Sequence, residues 1–328
     1  MIIVTGGAGF IGSVLLWKLN EIGVKDILVV DSLGQGSKWK NLAKRTFTTV
    51  LHKDDFGAWL AEDGTRADIE AVFHLGASSS TAQTDVDYLM RNNLNYSIRL
   101  WEFCAQYEVP LIYASSGATY GGGEQGFSDS AAIVPKLRAT NPYGFSKQKF
   151  DHWALAQTRC PPFWAGLKFF NVYGPQEYHK GTQSSVIRQF VPQVKQSGII
   201  RLFKSYRPGV EDGDQRRDFV SVKDCVEVMV HLLRNIGRAE SGLYNVGSGK
   251  ARTFADLARC VFTAMGVDPA RLEYIEMPEV LREHYQYHTE APLNRLRERA
   301  GYTKPMTNLE DGVTDYVRNY LLADDAFL

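Results

Sequence analysis

Tyr143 and Lys147 stand in the spacing Tyr-x-x-x-Lys, downstream of Ser115-Ser116. On a helix that spacing stacks the two side chains on one face, a turn apart. A phenol has a pKa of about 10, so Tyr143 takes a proton near neutrality only if its anion is stabilised. The Lys147 ammonium would favour that phenolate and could also hold a ribose hydroxyl. Ser116, ending an apolar run, is placed to hold the hydroxyl that reacts. Together these residues are suited to removing the proton of an alcohol. The accompanying hydride needs an acceptor, and the N-terminus offers a place for one.

Thr5-Gly6-Gly7-Ala8-Gly9-Phe10-Ile11-Gly12 lies between a β-branched run and a helical pattern. Without Cβ atoms the backbone can approach a pyrophosphate, and a helix N-terminus adds amide donors and partial positive charge. Asp31 ends the second strand about 20 residues on, where a carboxylate holds the adenosine ribose. Alone it argues for NAD, because it would repel a 2′-phosphate. Lys38, in the glycine-bearing loop 34–40, and Lys53, after the third strand, could neutralise that phosphate. These residues by themselves leave NAD and NADP open. The run His74-Leu75-Gly76-Ala77-Ser78-Ser79 has small side chains that leave room for the cofactor's ribose and diphosphate. His74 itself reads as a packed core histidine. Asn92, on the following helix, reads as an anchor for the loop carrying Ser79.

The elements that must position these residues alternate. Runs at 2–5, 27–31, 72–75 and 111–115 read as buried parallel strands, and 10–20 and 88–107 as helices. That rhythm implies an α/β fold, a Rossmann-type doubly wound parallel sheet with ligands at the carboxyl ends of its strands. A helix over 143–159, halted by Pro161-Pro162, and a strand over 163–170 follow. Beyond Asn171 the rhythm breaks. Stretches 177–181 and 206–214 read as loops, 184–197, 222–235, 253–265 and 309–321 as helices, and 242–246 as a late strand. The expected division is a dinucleotide domain over 1–171, to which the chain returns at 219–249. A smaller mixed α/β substrate domain takes 172–218 and 250–328.

Lys plus Arg equals Asp plus Glu, 37 each in 328 residues, so no global field favours nucleic acid or an anionic membrane. Cys104, Cys160, Cys225 and Cys260 are scattered, as free thiols in a reducing compartment would be. No cationic segment precedes an apolar run, and no run nears the roughly 20 residues that span a bilayer. A cytoplasmic protein is expected. His284 and His288 lack the intervening Glu and third ligand of a zinc site, so no metal is expected.

By these residues the chain resembles the extended short-chain dehydrogenase/reductase family, the nucleotide-sugar epimerases and dehydratases, over nearly its whole length. Phe169-Phe170-Asn171-Val172-Tyr173-Gly174-Pro175 matches the family's mid-chain block, and Arg217-Asp218-Phe219-Val220-Ser221-Val222-Lys223-Asp224 its late block. Gly117-Ala118-Thr119-Tyr120-Gly121 carries none of the carboxylates that a sugar 4,6-dehydratase needs to expel water, which leaves reversible oxidation and re-reduction. Within the family, His179-Lys180-Gly181 with Lys38, Tyr113-Ala114-Ser115-Ser116 and Tyr285-Gln286 resembles the subgroup that acts on ADP-heptoses.

That resemblance implies NADP, in preference to NAD, held throughout turnover. Phe10, Ile11, Ser32, Leu75 and Val172 would join the cofactor residues above. The implied reaction inverts C6″ of ADP-D-glycero-D-manno-heptose, for lipopolysaccharide core synthesis, through a 6″-ketone re-reduced on its other face. One base cannot serve both poses, because proton transfer needs a contact of about 2.6–3.2 Å. Tyr143 would serve one and Lys180, which would also touch the cofactor, the other; a lysine can act so when burial lowers its pKa. Arg217 would grip the diphosphate through its bidentate fork. Asn171, Thr182, Gln189, Phe203, Lys204, Ser205, Tyr206 and Tyr285 would line the substrate pocket. Gln189, Thr182 and Leu75 depart from the subgroup's His, Ser and acidic residue, and loop 206–214 is longer than its counterpart. A homo-oligomer, pentameric in the subgroup, is implied. The alternatives are a UDP-hexose 4-epimerase, which has no need of Lys180, and a non-catalytic NADP-binding sensor.

Overall fold

A computed structural model describes residues 1–328 apart from Arg66, Pro269, Ala270, Glu283, His284 and the Val280 side chain. The His284 half of the histidine pair therefore lies outside the described residues. The first strands are β1 (Ile2–Thr5), β2 (Ile27–Asp31), β3 (Thr49–His52), β4 (Ala71–His74), β5 (Leu111–Ser116) and β6 (Trp164–Phe169). Then come β7 (Asn171–Tyr173), β8 (Ile199–Phe203), β9 (Arg216–Ser221), β10 (Gly242–Val246), β11 (Ala251–Thr253) and β12 (Arg271–Ile275).

Seven strands form one parallel sheet in the order β10-β6-β5-β4-β1-β2-β3. Most are apolar and β-branched, and β1, β2, β4, β6 and β10 are buried at every position, as a sheet covered by helices on both faces requires. On one face, Val14, Leu15 and Leu19 of helix Phe10–Glu21 pack with Val226, Met229 and Val230 of helix Val222–Arg234. On the other, Leu100, Trp101 and Cys104 pack with Phe150 and Ala154. The strand order reverses between β1 and β4, so their flanking connections leave on opposite faces and a crevice opens at their carboxyl ends.

A second core joins Ile187, Phe190 and Val194 of helix Val186–Ser197 to Leu257 and Val261 of helix Phe254–Met265 and to Val313 and Tyr316. Two small sheets flank it. In one, β9 pairs parallel with β7 and antiparallel with β11; in the other, β8 and β12 run parallel. None of the described helices is long and apolar enough to cross a membrane.

Several boundaries differ from those read in the sequence. The helix expected over 88–107 is broken by a π-helical turn, Met90–Asn95, between Val86–Leu89 and Tyr96–Gln106. The extra residue in such a turn re-aims a side chain, here that of Asn93, toward Ser78 in the loop after β4. The helix expected over 143–159 spans Pro142–Leu155. Pro142 fills its first turn and Asn141 Oδ1 accepts from the Gly144 N–H at 2.8 Å. Stretch 177–181, read as a loop, instead runs from Glu177 into a tight 3₁₀ segment, Tyr178–Gln183, interrupted at Gly181 by φ +55°.

Candidate active site

The glycine turn closes where the expected motif places it. Gly6 N–H donates to Val30 O at 2.8 Å, Gly9 N–H to Gly6 O at 2.9 Å, and Gly6 holds φ +69°. A Cβ on Gly12 would collide with the Gly6 carbonyl, and one on Gly6 would lie 2.6 Å from Gly76 N. The cradle admits only bare backbone at these two points.

Asp31 is almost buried and fully engaged. Its Oδ2 accepts from Ala8 N–H at 2.8 Å, and its Oδ1 from Ser32 N–H at 2.7 Å and Lys38 Nζ at 2.5 Å. Lys38 also donates to Ser32 O at 3.1 Å. The carboxylate that would repel a 2′-phosphate thus carries its own counter-charge. Lys53, half-exposed, pairs with Asp54 at 2.8 Å and still reaches the cavity.

His74 is a core residue, as read. Its ring lies between Thr5 Oγ1 at 2.7 Å and Ser97 Oγ at 2.8 Å, and burial, with Lys147 nearby, brings its pKa down to about 3. The loop anchor needs correcting. Asn93, not Asn92, grips Ser78: its Oδ1 accepts from Ser78 N–H at 2.9 Å and its Nδ2 donates to Ser78 O at 3.0 Å. Asn92 lines the cavity and donates to Asn93 Oδ1 at 3.0 Å. Both asparagines lie in the π turn Met90–Asn95, where Asn93 is the one turned inward and buried.

One cavity of about 920 Å³ gathers most of the candidates. Gly6, Gly9, Phe10, Ile11, Gly12, Asp31, Ser32, Lys38, Lys53, Leu75, Gly76, Ala77, Ser78, Ser79 and Asn92 line it, as do Ser116, Tyr143, Lys147, Asn171, Val172 and Lys180. The Tyr143 hydroxyl stands above its ordinary pKa, not below it as the Tyr-x-x-x-Lys spacing leads one to expect. Burial raises it, the nearby Ser116 hydroxyl opposes, and Asp151 adds to the rise. Lys147 Nζ donates to Ala114 O at 2.8 Å, and burial brings its ammonium to about 8 against the pull of Asp151. Ser116 Oγ accepts from Ala118 N–H at 3.1 Å.

Beneath them lies a network that the sequence reading missed. Lys168 on β6 and Asp151 on the Tyr143 helix form an ion pair at 2.6 Å, and both side chains are 0% exposed. Asp151 also accepts from Ser115 Oγ at 2.6 Å and Tyr113 Oη at 3.1 Å, while Lys168 donates to Thr119 Oγ1 at 2.8 Å. The network fixes the end of β5 against the helix. A lysine within the otherwise apolar run Trp164–Phe169 was its signal, because a buried ammonium requires a buried partner.

Lys180 enters the cavity from the 3₁₀ segment, its Nζ 5.5 Å from the centre of the Phe10 ring. Burial pushes its ammonium pKa down, partly opposed by Glu177. His179, beside it, is held down to about 4 by burial, with Lys38 and Lys180 adding to the effect.

The remaining substrate candidates stay outside the cavity lining. Gln189 Nε2 donates to Thr182 O at 3.2 Å and Ser184 O at 3.0 Å, tying down the chain that carries them. Lys204 pairs with Glu276 at 2.7 Å, and the Tyr206 hydroxyl bonds the same carboxylate. Ser205 N–H donates to Asp212 at 2.7 Å, and Phe203 O accepts from Gln215 at 3.2 Å. Arg217 differs. It is 7% exposed, with its guanidinium 5.1 Å from the Tyr285 ring centre and 5.8 Å from that of Phe254. Its hydrogen bond among the described residues is from Nη1 to Arg216 O at 2.9 Å.

A doubly wound sheet with a glycine turn, a charge-balanced carboxylate at the end of β2 and a Tyr/Lys pair in one crevice defines a dinucleotide-dependent enzyme of the Rossmann type. Residues 2–247 match the NAD dependent epimerase/dehydratase family, and the chain belongs to it. It is 51% identical, over the full length of both chains, to a Fusobacterium nucleatum protein named ADP-L-glycero-D-manno-heptose-6-epimerase. Among solved structures it resembles the Helicobacter pylori ADP-L-glycero-D-manno-heptose-6-epimerase, with a TM-score of 0.80 and 27% identity over 97% of this chain and 95% of that one. It also resembles the Thermus thermophilus UDP-glucose 4-epimerase in complex with NAD, with a TM-score of 0.75 and 27% identity over 96% and 97% of the two chains.

Proposed function

We propose that the protein inverts C6″ of ADP-D-glycero-D-manno-heptose, giving the L-glycero epimer used for lipopolysaccharide core. The observation that carries this reading is Lys180 lining the same cavity as Tyr143, Lys147 and Ser116, beside the cofactor cradle. Full-length relatives named for this epimerisation support the choice of sugar nucleotide. A bound nicotinamide dinucleotide supplies the acceptor of the C6″ hydride and returns it. The chain's own residues handle the proton. Ser116 holds the reacting hydroxyl, and Tyr143, as a phenolate whose charge the Lys147 ammonium offsets, takes its proton in one pose and becomes the neutral phenol. In the other pose the sugar presents its hydroxyl to Lys180, whose lowered pKa favours the neutral amine that a base requires.

NADP is the proposed cofactor. Lys38 neutralises Asp31, and Lys53 is near enough to the cavity to add positive charge for a 2′-phosphate. Arg217 is the proposed diphosphate ligand, because a buried guanidinium with no ion pair among the described residues calls for an anion. The remaining substrate contacts, from Thr182 to Tyr285, would form as the segments bearing them close on the sugar nucleotide. The working unit is taken as a cytoplasmic homo-oligomer, pentameric as in the subgroup. Within each chain, 1–171 with 219–249 would hold the cofactor, and 172–218 with 250–328 the sugar.

The test is to denature the purified protein, identify the cofactor released, and supply ADP-D-glycero-D-manno-heptose or UDP-glucose to the native enzyme. NADP and the L-glycero epimer are expected. NAD together with conversion of UDP-glucose would favour the hexose 4-epimerase reading.

A further inference from the structure

Two consecutive residues just ahead of Lys180, Gln176 and Glu177, are both 0% exposed, and their side chains are anchored in opposite directions. Glu177 turns toward the small domain, accepting from Ser185 N–H and Oγ at 2.5 Å each and from the Tyr316 hydroxyl at 2.8 Å. Gln176 turns toward the cofactor cradle. Its Nε2 donates to Asn41 O at 3.2 Å, while Asn41 Nδ2 donates back to Gln176 O at 3.0 Å. The same Asn41 amide donates to Ala8 O, inside the glycine turn, at 3.0 Å and lies 3.2 Å from His179 Nδ1. Asn41 is 1% exposed, and neither its side chain nor that of Gln176 lines the cavity.

This arrangement carries a cost. Gln176 holds φ +77°, a conformation that side chains rarely adopt, and its buried Oε1 finds no partner among the described residues. Strain and an unsatisfied polar atom persist only where the surroundings over-determine a position, and they cluster at functional sites. What this clamp determines is the location of the next few residues, among them Lys180, relative to Ala8.

We propose that Asn41, through its reciprocal hydrogen bonds with Gln176, is a positioning residue that fixes Lys180 against the cofactor cradle. Asn41 lies outside the cavity lining and would act through the lysine. The inference rests on the two-base reading above. Its physical basis is that proton transfer tolerates little error in heavy-atom distance, so a displacement of about 1 Å can cost as much as 100-fold in rate.

A double-mutant cycle tests it. Oxidation of each epimer of the ADP-heptose is followed in single turnover, as formation of the reduced cofactor, in the wild type, Asn41→Ala, Lys180→Ala and the double variant. Asn41→Ala should slow oxidation of the epimer served by Lys180 by roughly 10- to 100-fold. Oxidation of the other epimer, the KM for the sugar nucleotide and the content of bound cofactor should stay near wild type. In the Lys180→Ala background it should add nothing, because coupled residues are non-additive. Equal slowing of both epimers, or full additivity with an impaired Lys180→Ala, overturns the positioning role and leaves the two-base reading intact. Wild-type rates for Lys180→Ala overturn both. Gln176→Asn keeps a residue that tolerates positive φ but shortens its reach, so it breaks the clamp without touching Ala8. It should reproduce the Asn41→Ala pattern and supplies the test if that variant does not fold; a wild-type profile for a folded Gln176→Asn also overturns the proposal.

Discussion

The helix bearing Tyr143 and the small-domain segments around Lys204 and Tyr285 were both read as ligand-binding, and they are built on different physical terms. The first stands on buried, mutually fixed groups. Lys147 is held by a strand carbonyl, Ser116 by a turn amide, and the strand end by a buried Asp151–Lys168 pair. The second stands on exposed ion pairs and loops. Arg201 pairs with Glu273 and Lys204 with Glu276, each 72 residues away in sequence. A site for bond-making needs positions fixed to a fraction of an ångström, which burial supplies. A site for gripping a sugar nucleotide can be assembled when the ligand arrives, and its polar groups neutralise one another in the meantime.

The largest test of that contrast strikes the buried pair. Lys168→Met leaves Asp151 as an uncompensated charge in a dry site, so unfolding free energy should fall by about 3–5 kcal/mol in denaturant titrations. A smaller loss would mean that the network is wetter than its burial implies.

His74 gives a smaller effect that depends on pH. Burial holds its folded-state pKa at about 3, below the unfolded value of about 6.5, so the unfolded chain gains a proton first as pH falls. Its contribution to stability is complete above pH ~6.5 and is lost toward pH ~3, at about 1.4 kcal/mol per pH unit. Denaturant titrations between pH 7 and 5 should show this slope in the wild type and its loss in His74→Asn. Equal slopes would mean that His74 is not the group responsible.

The smallest effect is expected at the exposed pairs. Lys204→Ala should leave the thermal midpoint unchanged, because fully solvated ion pairs add little. A raised KM for the ADP-sugar in the same variant would sharpen the comparison, by showing that Lys204 exchanges Glu276 for the ligand.

How much was legible in the chain follows the same division. The glycine turn, Asp31 and Tyr143/Lys147 are local patterns whose spacing carries the geometry, and the β-branched runs marked six of the seven strands of the large sheet to within a residue or two, β3 having no bounds of its own. Asn93 was not legible beside Asn92, because which of two adjacent asparagines turns inward is set by a π turn that no sequence pattern announces. The Asp151–Lys168 pair joins a helix to a strand, so only the oddity of a lysine amid apolar neighbours hinted at it. The β8–β12 pairing and the Asn41–Gln176 clamp link segments distant in sequence, where no periodicity reports on contact.

The central claim is that two bases, Tyr143 and Lys180, each serve one epimer in a single cavity. The most direct measurement is single-turnover oxidation from each pure epimer in Tyr143→Phe and in Lys180→Ala. The account predicts opposite biases, each variant losing ~100-fold or more from one epimer and far less from the other. If Tyr143→Phe slowed both epimers equally while Lys180→Ala slowed neither, a single base would suffice and the account would be wrong.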